Sequence, residues 1–589
     1  MRLGSLPARL VSWVLVVLFS AWAVVDVLVL NVSSGLAAST YDAMVRARLY
    51  AAAPDPRIVI VDIDEASLLR MSREFGRWPW PRDTLATVLE HVEKQQPAAV
   101  VWDIVFSDAD RLSPGGDAAF NAAVLRSAHS HFSVVRLPAK NDGFSQITRN
   151  ELPGLWLPSL PSSSTVRAGI TSTVALIAPA LPAVAAGRMG YNNGYVDKDG
   201  VLRRFRYAEL LADGSVIQSL PLSVANSVNA ARQPGNTTNL GANSQQFTLA
   251  TNTFNPQNEL FAWRKAANIY PLVPFADVFA LADGTAPLQA VPSFAGKVVI
   301  IGATAPSLHD VHPTPLSPLQ AGVDSLATAI DNGLNNRQVA ELPRWLQALL
   351  AVLLCVGIAL WVQVRGVASL APALLLLPAV LLGISYASLN GLPLFIDLHL
   401  AAGLGLVFVA TLRIWNSWRR QYWCELPAAD GAVDRAVGGA AQPPQGVWSW
   451  HGGAPWLGWR LDRLIDAMQT HAPNCRLVMP DTHITWPTTP HWPELARFVA
   501  ITGPHVELVA AERPLSRAIL NIGKSGAARS LGLRLLPTDL TRDALCALVL
   551  ADWAALAQAP TPPPPQHDLT SQDSALPPGS APIIRGATP

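Results

Sequence analysis

Hydrophobic positions along the chain fall into two kinds of pattern. Four apolar stretches are each long enough to cross a membrane as a helix, which takes roughly 20 residues at about 1.5 Å per residue. They are residues 10–31, Trp345–Val364, Ser369–Ala387 and Phe395–Ile414. Between the first two lies a region that is too long and too polar to lie in a membrane. The pattern predicts four transmembrane helices, with a large soluble domain inserted after the first.

The first apolar stretch has a second interpretation, a cleaved signal peptide with Ala37 and Ala38 at the cleavage site. Its apolar region is longer than that of a usual signal peptide, so we interpret it as a retained helix. The stretch contains Asp26, and a carboxylate inside a membrane span is a candidate functional group. We favour the alternative, in which Asp26 is solvated near the interface or pairs with a neighbouring helix.

The region of residues 32–342 alternates short apolar runs with helical patterns, which is typical of an α/β fold with a largely parallel sheet. The predicted strands are Ile58–Ile63, Ala98–Ile104, Phe132–Arg136 and Lys297–Gly302, and the clearest predicted helices are Arg82–Gln95 and Gly322–Asn332. An Asp-Gly turn lies within residues 196–207, and an Asn/Gln/Thr-rich surface excursion is predicted at residues 228–260.

The placement of Lys and Arg predicts the orientation of the four spans. Basic residues lie in three places: Arg2 and Arg9 before the first span, Arg365 between the second and third spans, and Arg413, Arg419 and Arg420 after the fourth. The loop between the third and fourth spans has no Lys or Arg. Both termini are therefore predicted to be cytoplasmic, with residues 32–342 outside the cytoplasm and residues 343–416 forming the last three spans.

A Gly/Ala/Pro-rich linker at residues 417–447 precedes a second soluble segment, residues 448–558. Its patterns predict a small cytoplasmic α/β domain. Predicted helices are Leu461–Thr470, Pro493–Ile501 and Arg513–Ile522, predicted strands are Cys475–Met479 and Val506–Ala510, and an apolar run follows at Leu531–Leu536. Residues 559–589 are rich in Pro and Ser and are predicted to be disordered.

Composition agrees with a membrane protein of several domains. The chain has 589 residues, of which 14% are charged, and its mean hydropathy is +0.26. A net charge of +1 gives no general attraction to nucleic acid, so no nucleic-acid partner is expected. The four cysteines show no zinc-binding or redox spacing, so neither a disulfide framework nor a structural zinc site is expected. No cofactor is predicted.

Acidic residues follow three of the predicted strands. They are Asp62, Asp64 and Glu65 at the end of the first, Asp103 at the end of the second, and Asp310, next to His309, after the last. Ligands of open parallel sheets bind at this edge, so the residues could form a ligand or cation site. The alternative, which we favour, is a scaffold in which these carboxylates cap helices and satisfy loop amides. Whether a metal binds stays open.

A Trp-Pro loop at residues 78–82 holds the remaining candidates, Trp80 and Arg82. It could line a ligand pocket, with Arg82 pairing an anion or one of the nearby aspartates. The favoured alternative is that the tryptophans pack the loop onto the sheet as core.

Several separated motifs resemble the CHASE2 domain. They are the VDIDEASL strand, the GRWPWPR loop, the VVWDIVF strand, the DKDGVLRR turn and the GKVVIIGATAPSLHDVHPTPLSPLQAGVDSLATAIDN segment. The resemblance covers residues 41–342 and implies a periplasmic sensory domain of a multi-pass protein in the bacterial inner membrane. It implies an unknown periplasmic ligand and carries over no binding residue. Two departures are the His309-Asp310 turn and the insertion at residues 228–260.

The output end lacks the motifs of a nucleotide cyclase, a diguanylate cyclase or a kinase. The one phosphate-loop-like sequence, Gly523-Lys524-Ser525, has Ala518 where a P-loop needs glycine. No catalytic residue is therefore predicted, and we expect a non-enzymatic adaptor that regulates a cytoplasmic signalling or assembly protein, with homodimerisation as one route for the signal. Two alternatives stay open: a divergent catalytic output domain, and a structural subunit of an envelope secretion or polysaccharide complex.

Overall fold

A computed structural model describes residues 6–110, 113–157, 173–211, 215–232, 259–392, 394–425, 446–451, 458–478, 498–503, 506–511, 513–515 and 532–536. The chain forms two compact units. The first contains residues 11–364 and 370–412, and the second contains the described parts of residues 1–10, 365–369 and 413–589. The excursion at residues 233–258, the Gly523-Lys524-Ser525 sequence and the tail at residues 559–589 lie outside the described residues.

Four of the described helices are long and apolar enough to cross a membrane, as predicted. They are Ala8–Leu30, Arg344–Arg365, Ala373–Gly391 and His399–Trp423. The first ends in a π-helical turn, Asp26–Leu30. The last is longer than the predicted span, since it continues beyond Ile414 to Trp423.

The extramembrane part of the first unit is built on a largely parallel sheet, as predicted. Its strands are β1 (Ile58–Ile63), β2 (Ala99–Trp102), β3 (Ser130–Arg136), β4 (Leu176–Ile177), β5 (Arg188–Tyr191), β6 (Leu272–Pro274) and β7 (Val298–Ala303). The spatial order is β6-β1-β7-β2-β3-β4, and β5 also pairs with β3. Only the pairing of β3 with β4 is antiparallel within this described sheet.

Helices cover both faces of this sheet. One face packs against Glu65–Phe75, Arg82–Glu93, Pro114–Arg126 and Phe275–Ala282, and the other against Leu220–Arg232 and Gly322–Leu334. Every residue of β1 is buried. Alternate side chains of a strand point to opposite faces, so Val59 and Val61 enter one core while Ile58 and Ile60 enter the other. Two apolar layers explain why the predicted strands read as continuous apolar runs.

Shorter elements complete the first unit. They are helices Val32–Arg46 and Pro182–Ala186, and the strand pairs Arg204–Phe205 with Glu259–Leu260, Ala208–Leu210 with Val216–Gln218, Val311–His312 with Gln320–Ala321, and Ala340–Glu341 with Leu394–Phe395. The last pair joins the end of the extramembrane domain to the segment between the third and fourth spanning helices.

The described part of the second unit contains a five-stranded sheet and the helix Gly458–His471. Its strands, in spatial order, are Cys424–Glu425, Arg476–Val478, Phe498–Gly503, Gly446–His451 and Gly532–Leu536. All neighbours are antiparallel except the first pair. The helix buries Leu464, Ile465 and Met468 in a core with Trp423 and Ile501.

Two secondary-structure predictions in this unit are wrong. The predicted helix Pro493–Ile501 contains part of the strand Phe498–Gly503, and the predicted strand Val506–Ala510 lies in a helix at residues 506–511. Leu508 and Ala511 are buried whereas Val506 and Val509 are exposed. A spacing of three residues between buried positions belongs to a helix, and a run this short does not distinguish it from a strand.

Candidate functional site

Polar side chains follow β1, β2, β5 and β7 at the carboxyl edge of the parallel sheet. Asp62, near the end of β1, accepts hydrogen bonds from the backbone N–H of Thr304 at 2.9 Å and from its hydroxyl at 2.6 Å. Thr304 directly follows β7, so this carboxylate joins two neighbouring strands. Burial raises the pKa of Asp62, which its two hydrogen bonds from Thr304 partly offset.

The next two acidic residues bind backbone amides of their own loops. Asp64 is the N-cap of the helix Glu65–Phe75 and accepts from the N–H of Ser67 at 2.7 Å. Glu65 accepts from the N–H of Ser307 at 2.8 Å, and this hydrogen bond lowers the pKa of Glu65. Asp64 therefore caps the start of a helix. Glu65 holds the loop after β7 through a backbone amide.

Asp103 and Asp310 come from different strand ends and lie close enough to affect each other. Burial first, and then the charge of Asp310, raises the pKa of Asp103 to about 7. The side-chain amide of Asn192, directly after β5, donates to Asp103 at 2.7 Å. His312 Nε2 lies 3.5 Å from Asp310 Oδ1, and this contact raises the pKa of His312. We call these four side chains the edge cluster.

His309 is directed differently from the edge cluster. Its Nδ1 lies 3.0 Å from the carbonyl oxygen of Ser307 in its own turn, and its φ of 57° is left-handed. Among the described residues, no group of three or more His, Cys, Asp or Glu side chains is arranged to hold a metal ion. Within the edge cluster, the pKa values of Asp103 and His312 are both raised, which favours the protonated forms of these two groups.

The Trp-Pro loop residues lie against the sheet. Trp80 is 2% exposed, with its ring centroid 4.9 Å from that of Trp78 and 5.0 Å from that of Phe275. Arg82 Nε lies 3.1 Å from Asp117 Oδ1. The sequence predicted that Arg82 pairs either with an anion or with a nearby aspartate, and in the structure it pairs with an aspartate. Asp117, however, belongs to a helix and not to the predicted acidic edge.

Asp26 is 1% exposed at the end of the first spanning helix. It accepts hydrogen bonds from the N–H of Val32 at 2.8 Å and from both the N–H and the hydroxyl of Ser33. These groups open the helix Val32–Arg46, so Asp26 caps it. The partners of Asp26 thus lie at the start of the next helix in the chain, and the sequence suggested solvent near the interface or a neighbouring helix.

A cavity of about 1020 Å³ lies at the side of the domain that faces the ends of the spanning helices. One part of the lining comes from residues 31–38, which follow the first span, and from residues 340–347, which include the start of the second span. Phe395, which precedes the fourth span, also lies there. The other part comes from residues 197–199, 203–204 and 259–260 of the extramembrane domain. We call this space the membrane-facing cavity; the sequence did not predict it.

Two consecutive arginines line the membrane-facing cavity. Arg203 donates from Nε and Nη2 to the carboxylate of Asp42, each at 2.7 Å. Its Nη1 donates to Asp197 at 3.0 Å and to Asp199 at 2.8 Å. These hydrogen bonds raise the pKa of Arg203 further above its usual value, although burial opposes them. The guanidinium is therefore fully charged and joins the domain to the helix that follows the first span.

Arg204 makes the corresponding connection to the second span. Its Nη2 donates to Glu341 at 2.8 Å, and its Nη1 donates to Asp197 at 2.7 Å. Glu341 lies three residues before the second spanning helix begins at Arg344. The DKDGVLRR motif carried a signal for this cluster, because two aspartates and two arginines lie within eight residues of a chain with few charges.

The fold defines an α/β domain inserted between the first and second of four helices that are long and apolar enough to span a membrane. The CHASE2 domain family matches residues 13–364, which is more than half of the chain. The protein belongs to this family, whose domains are sensory and extracellular, and the resemblance seen in the sequence is confirmed. No curated protein and no solved structure matches the chain.

Proposed function

We propose that the protein is a signal-transduction protein of the bacterial inner membrane. Its CHASE2 domain senses a periplasmic stimulus, and its second unit regulates a separate cytoplasmic protein. The observation that carries the proposal is the family match over residues 13–364, because CHASE2 domains are sensory. The four apolar helices provide the route by which a stimulus on one side can act on the other.

The arginine contacts support a mechanical link between the domain and the spans. A stimulus can shift a conformational equilibrium only if it binds two states with different affinity. Arg203 holds Asp42 on the helix that follows the first span, and Arg204 holds Glu341 just before the second span. A change in the loop that carries both arginines would therefore act on both of these segments together, which is the kind of coupling that such a protein needs.

The proposed orientation has cytoplasmic termini and an extracytoplasmic domain. The distribution of arginines favours it, as the cytoplasmic side of a membrane protein carries an excess of basic residues. The pairing of Ala340–Glu341 with Leu394–Phe395 is consistent with it, since the segment between the third and fourth spans then lies on the domain's side.

Topology reporters test this orientation. We expect alkaline phosphatase to be active when fused after Leu240 and inactive when fused after Ala440, with the reverse for a fluorescent protein that folds only in the cytoplasm. Fusions after Gly366 and after Asn390, between neighbouring spans, are controls that should report opposite sides. Activity of the phosphatase at both Leu240 and Ala440 would overturn the proposal.

A further inference from the structure

Two buried polar groups of the membrane-facing cavity have no hydrogen-bond partner among the described residues. They are the hydroxyl of Tyr41, a side chain that is 3% exposed, and Oε2 of Glu259. Unpaired buried polar groups are rare because each loses its hydration without compensation. Burial is the cause that raises the pKa of Glu259 to about 7, so no neighbouring cation compensates its charge. Both groups can accept a hydrogen bond from a ligand.

The charge around these groups favours a cationic ligand group. The two guanidiniums of Arg203 and Arg204 are surrounded by four carboxylates, those of Asp42, Asp197, Asp199 and Glu341. The arginine donors are thus directed at protein carboxylates, and Glu259 adds a further acidic group. An anion placed here would meet excess negative charge, whereas an ammonium group would donate up to about three hydrogen bonds.

The rest of the cavity lining contains two basic side chains and an apolar wall. Lys198 is exposed and Arg344 is partly exposed, and neither forms an ion pair within the described part of the chain. Apolar side chains line the part next to the spanning helices: Val32, Leu342, Trp345, Phe395 and Leu400. The cavity thus offers acceptors for an ammonium group, cations for an anion and an apolar wall for a hydrocarbon chain. Its volume is at the upper end of the usual range for ligand pockets, roughly 300–1,000 Å³.

We propose that the membrane-facing cavity binds an amphiphile whose head carries a primary ammonium group beside a phosphate, with Glu259 and Tyr41 receiving the ammonium group. Lys198 and Arg344 face the phosphate, and the apolar wall receives the chain. Such a molecule can come from the bilayer, as an aminophospholipid, or from the aqueous phase in a short-chain form. That the bound amphiphile acts as a signal rests on the proposed function. Binding of the amphiphile to the cavity does not depend on that function.

The test uses the full chain in nanodiscs of phosphatidylcholine that contain equal small fractions of phosphatidylethanolamine and phosphatidylglycerol. Native mass spectrometry measures which lipid stays bound. We expect phosphatidylethanolamine to be retained about tenfold more than its bulk share, since one charge-assisted hydrogen bond is of this order. Choline cannot donate a hydrogen bond, and the glycerol head has no ammonium group. Equal retention of all three lipids, or a preference for phosphatidylglycerol, would overturn the inference.

Two conservative variants show whether the preference arises in this cavity. Glu259→Gln removes the charge at constant size and should abolish the preference, and Tyr41→Phe should reduce it several-fold. Tyr41→Phe removes an unpaired buried hydroxyl and Glu259→Gln removes a buried charge at constant size, so both variants should fold. The matched control is Glu74→Gln, because Glu74 is an exposed acidic residue on another helix. A preference that survives Glu259→Gln would also overturn the inference.

A second arm distinguishes the two sources of the ligand. Dihexanoyl phosphatidylethanolamine is added from water to the detergent-solubilised protein, with dihexanoyl phosphatidylcholine as its control. If only dihexanoyl phosphatidylethanolamine raises the thermal stability, the ligand can also come from water. If neither short-chain lipid has an effect while phosphatidylethanolamine is retained in nanodiscs, the source is restricted to the bilayer. If the topology reporters behave as expected and no ammonium preference is found, this inference fails and the proposed function stands.

Discussion

Asp103 shows how the fold changes the chemistry of a single residue. It directly follows β2, where burial and the neighbouring carboxylate of Asp310 both favour its protonated form. A pKa of about 7 means that the folded protein holds this proton where an unfolded chain would release it. The pKa of His312 is also raised, through its contact with Asp310. Because both pKa values are raised in the folded protein, the folded state is more stable when Asp103 and His312 are protonated.

Stability should therefore fall as the pH rises through the edge cluster. The contribution of Asp103 is complete below its ordinary pKa and is lost between about pH 4 and about pH 7. The contribution of His312 is lost as the pH rises through its raised pKa. We expect Asp103→Asn to reduce the loss of melting temperature between about pH 5 and about pH 8 by a few degrees, since one pKa unit corresponds to about 1.4 kcal/mol.

Thermal unfolding of the full chain in detergent at the two pH values measures this effect. Asp283→Asn is the control, because Asp283 is exposed and lies far along the chain from the edge cluster. An Asp103→Asn variant with the pH dependence of the unmodified protein would show that this carboxyl group does not hold the proton.

The sequence predicted the acidic strand ends but not their partners. Strand ends can be found from apolar runs, and parallel strands end at one edge, so Asp62 and Asp103 were recognisable candidates. Which groups meet there depends on loops whose paths no local pattern encodes. Asn192 and His312 were missed for this reason, and whether any of these residues binds a ligand stays a prediction.

At the scale of elements, the helix Gly322–Leu334 is held by a buried charge. Asp331 is fully buried on it, with Oδ1 2.6 Å from Arg264 Nη2. Its Oδ2 accepts from the hydroxyl of Tyr270 and from the N–H of Asp55, each at 2.9 Å. One carboxylate thus connects three residues of two other segments to this helix, and its removal leaves the guanidinium of Arg264 buried without a counter-charge.

We expect Asp331→Ala to destabilise the protein by about 3–5 kcal/mol, the usual cost of breaking a buried ion pair on one side. Chemical unfolding of the purified protein in detergent, followed by tryptophan fluorescence, measures this difference. Asp283→Ala is the matched control and should change stability by less than about 0.5 kcal/mol. A similar small change for Asp331→Ala would contradict the structural role of the buried pair.

Elements with a strong period were predictable, and short ones were not. The helices Arg82–Glu93 and Gly322–Leu334 begin at their predicted residues, and β1 has its predicted bounds. The edge strand β6 has three residues and was missed, because such a run has no readable period. The helix at residues 506–511 was read as a strand for the same reason, since its core contacts at Leu508 and Ala511 come from the tertiary fold.

At the scale of the whole molecule, the fourth spanning helix belongs to both units. Its residues up to Leu412 are part of the first unit, and those from Arg413 are part of the second. In the second unit, Asn416 donates to Asp462 at 3.1 Å and Arg419 pairs with Asp466. A continuous helix fixed in this way provides a covalent route from one unit to the other.

The division into two units predicts that the first unit folds and keeps its cavity without the second. All residues that line the membrane-facing cavity lie in the first unit. A chain that ends after Glu425 keeps the whole fourth helix, so we expect its CHASE2 domain to unfold within about 2 °C of the same domain in the full chain. Scanning calorimetry should also lose the transition of the second unit. A large fall in the melting temperature of the CHASE2 domain would instead show that the second unit stabilises the first, and that the two act as one cooperative structure.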